Sequence, residues 1–236
     1  VIRETVEGLI AVGFNDIVIV NDGSRVENDK YFPEHTKYPQ CTVINHWVNR
    51  GKGAGLKTAF AFVKKSRPNC LGVVTTDDDG QHRPEDVLAC AMRMINENRV
   101  VLGVRDFNLS GIPARSVFGN KLTSFVFRFL CGMRLSDTQT GLRAIPAEWL
   151  ETLISVKGDR FEYETNMLLE AKRIGMPMRE HIIETVYIDN NYKGKINRAA
   201  NPFEIVDFYG CYTRNDDLSN EKIKFSALQM PYYWDD

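Results

Sequence analysis

The 236-residue sequence is short of most features that fix a function at a glance, and each shortage excludes something. It has no surplus of either charge, with 30 Lys and Arg against 31 Asp and Glu. Such a balance sets up no global basic field and no local basic patch replaces it, so no nucleic-acid partner is expected. No run reaches the roughly 18 apolar residues that a membrane-spanning helix needs. The most apolar segment, SVFGNKLTSFVFRFLCG, is interrupted by Lys121 and Arg128, and no transmembrane span is expected in this chain. There is no C-x-x-C pair. The five cysteines, Cys41, Cys70, Cys90, Cys131 and Cys211, are widely spaced and mostly lie in apolar runs, so reduced, buried thiols of a cytoplasmic protein are expected and a zinc site is not. No signal peptide opens the chain: VIRETVEGLIAVGF carries Val6, Leu9, Ile10 and Phe14 at helical steps and has no cleavage site. A starting methionine is also missing, and the sequence is expected to begin inside a longer chain.

What is present is an alternation. Short β-rich runs, DIVIVND, CTVINHW, LGVVTTD and RVVLGV, are separated by amphipathic helical runs, GAGLKTAFAFVKK and PEDVLACAMRMINEN. That order predicts an α/β fold, a mostly parallel sheet flanked by helices on both faces. Leu56, Ala59, Phe60 and Val63 fall at i, i+3, i+4 and i+7, one apolar stripe of a helix. Pro84 sits at a first helical position, followed by Glu85 and Asp86, which the helix dipole favours. Beyond residue 105 the pattern predicts an apolar-basic helix over about 115–131, a loop RLSDTQTGLRAIP, two further helices and a strand REHIIETVYID. Residues 190–201 read as a polar, basic loop. One domain is expected over 1–212, with 213–236 an unassigned tail.

In VVTTDDDGQH, residues 73–82, four β-formers run straight into three acids. Neighbouring carboxylates repel by about 1 kcal/mol in water and by more at a protein-like dielectric, so a positive group is expected close by. If the strand continues, Asp77 and Asp79 share a side and Asp78 faces away. With the amide oxygen of Gln81 they make a hard oxygen set suited to Mg²⁺ or Mn²⁺. The alternative is a capping cluster, Asp79 or His82 starting the helix at Pro84. NRGKGAG, residues 49–55, is glycine-rich, basic and precedes a helix; its amides and Arg50 or Lys52 suit a phosphate or a base, though an ordinary turn needs no ligand. It is neither a Walker A nor a G-x-G-x-x-G loop. Asp22, Gly23 and Ser24 end one strand and Asp77 to Gly80 end another, so both clusters are expected on one edge of the sheet, where open α/β sheets bind ligands. Phe118, Leu122, Phe125 and Phe129 share a face of the 115–131 helix, with Lys121 and Arg128 on another. That pattern fits a core helix with a solvated basic edge, or a helix lying on an anionic membrane surface.

The ordered set VNDGS, NRGKGAGLKTAF, TTDDDGQHRPED, LGVRDF, ARSVFGNKLTS, SDTQTGLRAIP and RFEYETNMLLEAKR resembles the glycosyltransferase family 2 domain of the GT-A fold. The likeness is strongest to dolichyl-phosphate and polyprenyl-phosphate sugar transferases, and it runs over about residues 1–200. It implies an inverting, metal-dependent transfer of a sugar from a UDP- or GDP-linked donor to a polyprenyl or dolichyl phosphate, at the cytoplasmic face of a membrane. On the matching positions it implies a nucleotide-sugar set of Asp22, Gly23, Ser24, Gly51, Lys52, Gly53, Asp77, Asp78 and Arg105. It implies Mg²⁺ or Mn²⁺ on Asp77, Asp79 and Gln81, and an acceptor-phosphate set of Arg115, Ser116 and Arg143. Asp79, Arg115 and Asp137 are the residues implied for catalysis. A phosphate acceptor is already anionic and needs no strong base; a hydroxyl acceptor makes Asp137 the candidate base, and a loop cap beside Thr138 and Thr140 is its structural alternative.

The family's usual first strand, with its P-x-Y-N-E-type motif, has no counterpart here, and the sequence starts at the helix that should follow it. Two other readings stay open. One is a non-catalytic nucleotide-sugar-binding or assembly domain on the same fold. The other is a sugar-1-phosphate nucleotidyltransferase, which expects an N-terminal G-x-G-x-R-L-type loop.

Overall fold

The computed structural model describes residues 2–77, 80–106, 129, 132 and 135–184, and the backbone of 206–213. Seven strands form one sheet: β1 (Ile17–Asn21), β2 (Cys41–Asn45), β3 (Cys70–Asp77), β4 (Val100–Arg105), β5 (Arg143–Pro146), β6 (Met178–Ile183) and β7 (Val206–Thr213). Their spatial order is β2-β1-β7-β3-β5-β4-β6. The pairings β1 with β2 and β4 with β6 are parallel, while β5 and β7 each run against both neighbours. Five strands therefore share one direction, as the alternating pattern predicts.

Helices cover both faces. Helices α1 (Ile2–Ala11) and α3 (Pro84–Glu97) pack on one side; α2 (Lys52–Ser66), α4 (Leu150–Ile154) and α5 (Glu162–Arg173) pack on the other. β1 shows why an unbroken apolar run suits this arrangement. Val18 and Val20 enter the core under α2, Ile17 and Ile19 enter the core under α1 and α3, and all four are buried. The stripe read on α2 is the face it buries, with Leu56, Ala59, Phe60 and Val63 all inside. α3 starts at Pro84 with Glu85 and Asp86 in its first turn, and Arg83 holds the cap position without a side-chain capping hydrogen bond. The capping alternative thus finds no acid or histidine at that cap among the described residues.

Two expectations are corrected, and one strand is new. RAIP was read as loop but is β5, buried throughout and wedged between β3 and β4. Cys41 and Cys90 are free and buried, but Cys70 is disulfide-bonded, so the thiols are not all reduced. The new strand is β7, which sequence patterning did not bring out. It lies antiparallel between β1 and β3, so these two strands do not pair directly. The helix expected over 115–131 lies outside the described residues apart from Phe129, which is exposed. No helix among the described residues is long and apolar enough to cross a membrane.

Candidate active site

The β7 register measures how the two polar clusters meet. Asn21, ending β1, lies opposite Val206, and Asp77, ending β3, lies opposite Asp207. The two strand ends are level, and both clusters open on one edge of the sheet.

At the β1 end Asp22 is completely buried, which a carboxylate tolerates only when paired and hydrogen-bonded. Its Oδ1 accepts from the Arg50 amide at 2.9 Å and lies 2.6 Å from Nδ1 of His46; its Oδ2 accepts from the Gly51 amide at 2.7 Å. His46 is itself buried, and its Nε2 lies 2.9 Å from Thr58 Oγ1 on α2. Asn49 Nδ2 donates to the Asp22 carbonyl at 3.1 Å. Asp22 thereby sews the end of β1 to the glycine-rich turn. The Arg50 and Gly51 amides, candidates for a phosphate, are spent on it in this conformation. Gly51 carries φ of 102°, and a Cβ there would run into the Asp159 carbonyl, so the turn requires glycine. The Ser24 amide donates to Asn21 Oδ1 at 2.9 Å, while its hydroxyl is buried with no hydrogen bond among the described residues.

At the β3 end the positive group that the acidic run demands is Lys52, the first residue of α2. It is buried, and its Nζ donates to Asp77 Oδ1 at 2.6 Å while lying 3.1 Å from Glu164 Oε2 on α5. Glu164 also faces Arg143, whose Nη2 is 3.8 Å from its Oε1. Asp77, Lys52, Glu164 and Arg143 thus alternate in sign along one chain of contacts. Gly141 lies directly under Asp77, and a Cβ there would sit 2.6 Å from the carboxylate carbon. Beside this row a cleft is lined by Asp77, Gln81, His82, Arg105, Gln139, Thr140, Gly141 and Ile183. His82 Nδ1 is 2.9 Å from Thr76 Oγ1.

On the opposite wall Arg105 holds Asp137 in a bidentate pair, Nε to Oδ2 at 2.7 Å and Nη2 to Oδ1 at 3.1 Å. Asp137 is fully buried and also accepts from the Gln139 amide at 3.1 Å. Both of its oxygens are engaged, the arrangement of a group that orients an arginine and closes a turn. Arg143, read as lining the acceptor side, is 3% exposed on β5. Its Nε donates to the Thr140 carbonyl at 3.1 Å and its Nη1 to the Glu164 carbonyl at 3.0 Å, so it braces the site from below.

Asp78, Asp79, Arg115 and Ser116 lie outside the described residues. Asp22, Gly23, Ser24, Gly51 and Gly53 gather at the β1 end, and Lys52, Asp77, Gln81, Arg105, Asp137 and Arg143 within or beneath the β3 cleft. Sequence reasoning missed His46, Glu164 and Gly141. A buried Asp22 needs a partner, which pointed toward His46 at the end of β2; nothing local marked the other two.

With the site's geometry in hand, comparison with known proteins gives the family. Residues 1–153 match the family model for glycosyl transferase family 2, and the chain belongs to that family. It is a glycosyltransferase, and it resembles transferases named for dolichyl phosphate. Among its relatives is the uncharacterized protein MJ1222 of Methanocaldococcus jannaschii, 30% identical over 202 residues, covering 80% of this chain and 77% of that one. The UDP-N-acetylglucosamine–dolichyl-phosphate N-acetylglucosaminyltransferase of Methanococcus voltae is 29% identical over 213 residues, covering 80% and 81%. The dolichyl-phosphate beta-glucosyltransferase ALG5A of Trichomonas vaginalis is 27% identical over 208 residues, covering 82% and 62%.

Proposed function

We propose that the chain transfers a sugar, with inversion, from a UDP- or GDP-linked donor to a dolichyl or other polyprenyl phosphate at the cytoplasmic face of a membrane. The observation that carries this reading is the state of Asp137. Fully buried, with both oxygens engaged, it is built to hold Arg105 and leaves no free oxygen toward an acceptor hydroxyl. An acceptor that arrives already ionised makes a base unnecessary, and two relatives are named for dolichyl phosphate.

The acceptor oxygen attacks the anomeric carbon from the face opposite the diphosphate, forming one C–O bond as the C–O bond to the diphosphate breaks and leaving a nucleoside diphosphate. Asp22 supports the donor's nucleoside end by fixing the 49–53 turn, and Arg105 brings positive charge toward the phosphates. Among the described residues no three metal-ligating side chains cluster. Asp77 and Gln81 nevertheless present hard oxygens to one cleft, which suits a hard divalent cation, with Asp79 next in sequence as a third donor. Lewis-acid relief of the charge on the departing diphosphate is the chemistry that Mg²⁺ or Mn²⁺ would supply there when bound. Arg115 and Ser116 are proposed to receive the lipid phosphate, and the 115–131 helix to touch the membrane surface.

The test is transfer to polyprenyl phosphate from UDP- and GDP-sugars, with Mn²⁺ or with EDTA. Metal-dependent product from one nucleotide series is expected, and Asp79→Ala should abolish it in a folded protein. Equal turnover in EDTA, or in that variant, would remove the cation from the mechanism. A hydroxyl acceptor used in preference to the phosphate would remove the acceptor proposed here.

A further inference from the structure

Lys52 is where a metal-binding reading of Asp77 meets a difficulty. An ammonium already sits 2.6 Å from Asp77 Oδ1, so a divalent ion that takes that oxygen does so against the charge of a cation already there. Stranding a buried charge is costly, but here a second carboxylate waits: Glu164 Oε2 is 3.1 Å from the same nitrogen. Lys52, at the start of α2, is flanked on both sides by acid, and Glu164 is held in place through its carbonyl and carboxylate by Arg143.

We propose that Lys52 is an internal cation that neutralises Asp77 until a divalent ion displaces it, and that Glu164 is the positioning residue that keeps the displaced ammonium paired. Lys52 then swings off Asp77 without leaving the site, and faces the diphosphate that arrives with the ion. The inference rests on the reading that Asp77 belongs to the cation site. Its physical signature is an inversion of sign. Removing Lys52 lifts a competing like charge and tightens the divalent ion, whereas a merely damaged site loosens it. Removing Glu164's charge takes away a carboxylate on which the displaced ammonium can rest and makes displacement harder.

The experiment measures Mn²⁺ affinity from the free-ion electron paramagnetic resonance signal, without nucleotide or acceptor, for the whole chain and its variants. Lys52→Gln should bind Mn²⁺ about tenfold tighter, Glu164→Gln several-fold weaker, and Lys52→Arg about as the parent does. The double variant Lys52→Gln/Glu164→Gln should follow Lys52→Gln, because Glu164 acts through the lysine. Weaker or unchanged binding in a folded Lys52→Gln overturns the displacement. A full-sized Glu164→Gln loss in the Lys52→Gln background overturns the positioning role, leaving a through-space charge. Asp77→Asn separates the two levels: unchanged Mn²⁺ affinity there defeats the Asp77 reading and the inference with it, while a loss there without a gain in Lys52→Gln defeats the inference alone. If Lys52→Gln does not fold, Lys52→Met takes its place in every comparison, tighter binding supporting the inference and weaker or unchanged binding ending it.

Discussion

At the scale of single residues, the site is a set of charges each held by another part of the chain. Gly141 lies beneath the Asp77 carboxylate with no room for a methyl group. Gly141→Ala should push Asp77 aside and lower transfer by about 100-fold while shifting the melting temperature only slightly, because the clash is with a partly exposed side chain. Steady-state kinetics beside a thermal melt check both halves. Asp137→Asn is a different case. It keeps the shape but removes the charge that orients Arg105, at about 1.5–3 kcal/mol for a charged hydrogen bond. Donor KM should rise about 10- to 100-fold with no change in the shape of the pH–rate profile. Loss of an ionisation from that profile would instead make Asp137 a base. These residues also show what a sequence can hold. The acidic run announced its need for a positive neighbour, but that the neighbour would be Lys52 depends on α2 starting beside the end of β3. Likewise the aspartate of NDGS looked like a ligand contact because nothing in its own stretch says that residues 46–51 fold over it.

At the scale of elements, α1, α2, α3 and strands β1 to β4 were legible because each carries its own period and its own breakers. β5 was not: four residues ending in proline give no periodicity, and only burial between β3 and β4 makes RAIP a strand. β7 was hidden for a related reason, with Asp207 and Gly210 interrupting a run whose pairing comes wholly from distant strands. The seam between α3 and β6 carries a titration of its own. Burial, then the Arg93 guanidinium, lowers the His181 pKa below its ordinary 6.5. The folded state thus resists a proton that the unfolded chain accepts, and its stability falls as pH drops through 6.5 toward the lowered value. Burial raises the nearby Asp86 carboxyl, so its contribution runs the other way and fades as pH rises through its raised value. His181→Gln should therefore flatten the acid-side decline of the melting temperature. An unchanged decline would assign it to other groups.

At the scale of the whole molecule, two cores share one sheet, and their integrity can be read chemically. Burial pushes the Cys41 thiol up to about 11 and the Cys90 thiol up to about 12, so both are protonated and enclosed at neutral pH. Cys90 lies on the buried face of α3 in the core shared with α1, and Cys41 lies at the start of β2 in the same core. Neither should react with iodoacetamide in the native protein at pH 7 over hours, and both should react in denaturant. Mass-resolved labelling that modifies Cys41 but spares Cys90 would reveal a β2 edge that opens independently of the rest.

The antiparallel wedge between β1 and β3 has a consequence for how the molecule comes into being. A ribosome delivers both of its flanking partners long before it delivers residues 206–213, and until then two central ladders stand with unsatisfied amides and carbonyls along their length. Whatever shelters that gap during synthesis, a chaperone or a provisional pairing, must yield to the latecomer, so the nascent chain is most prone to sticking just before its sheet becomes whole.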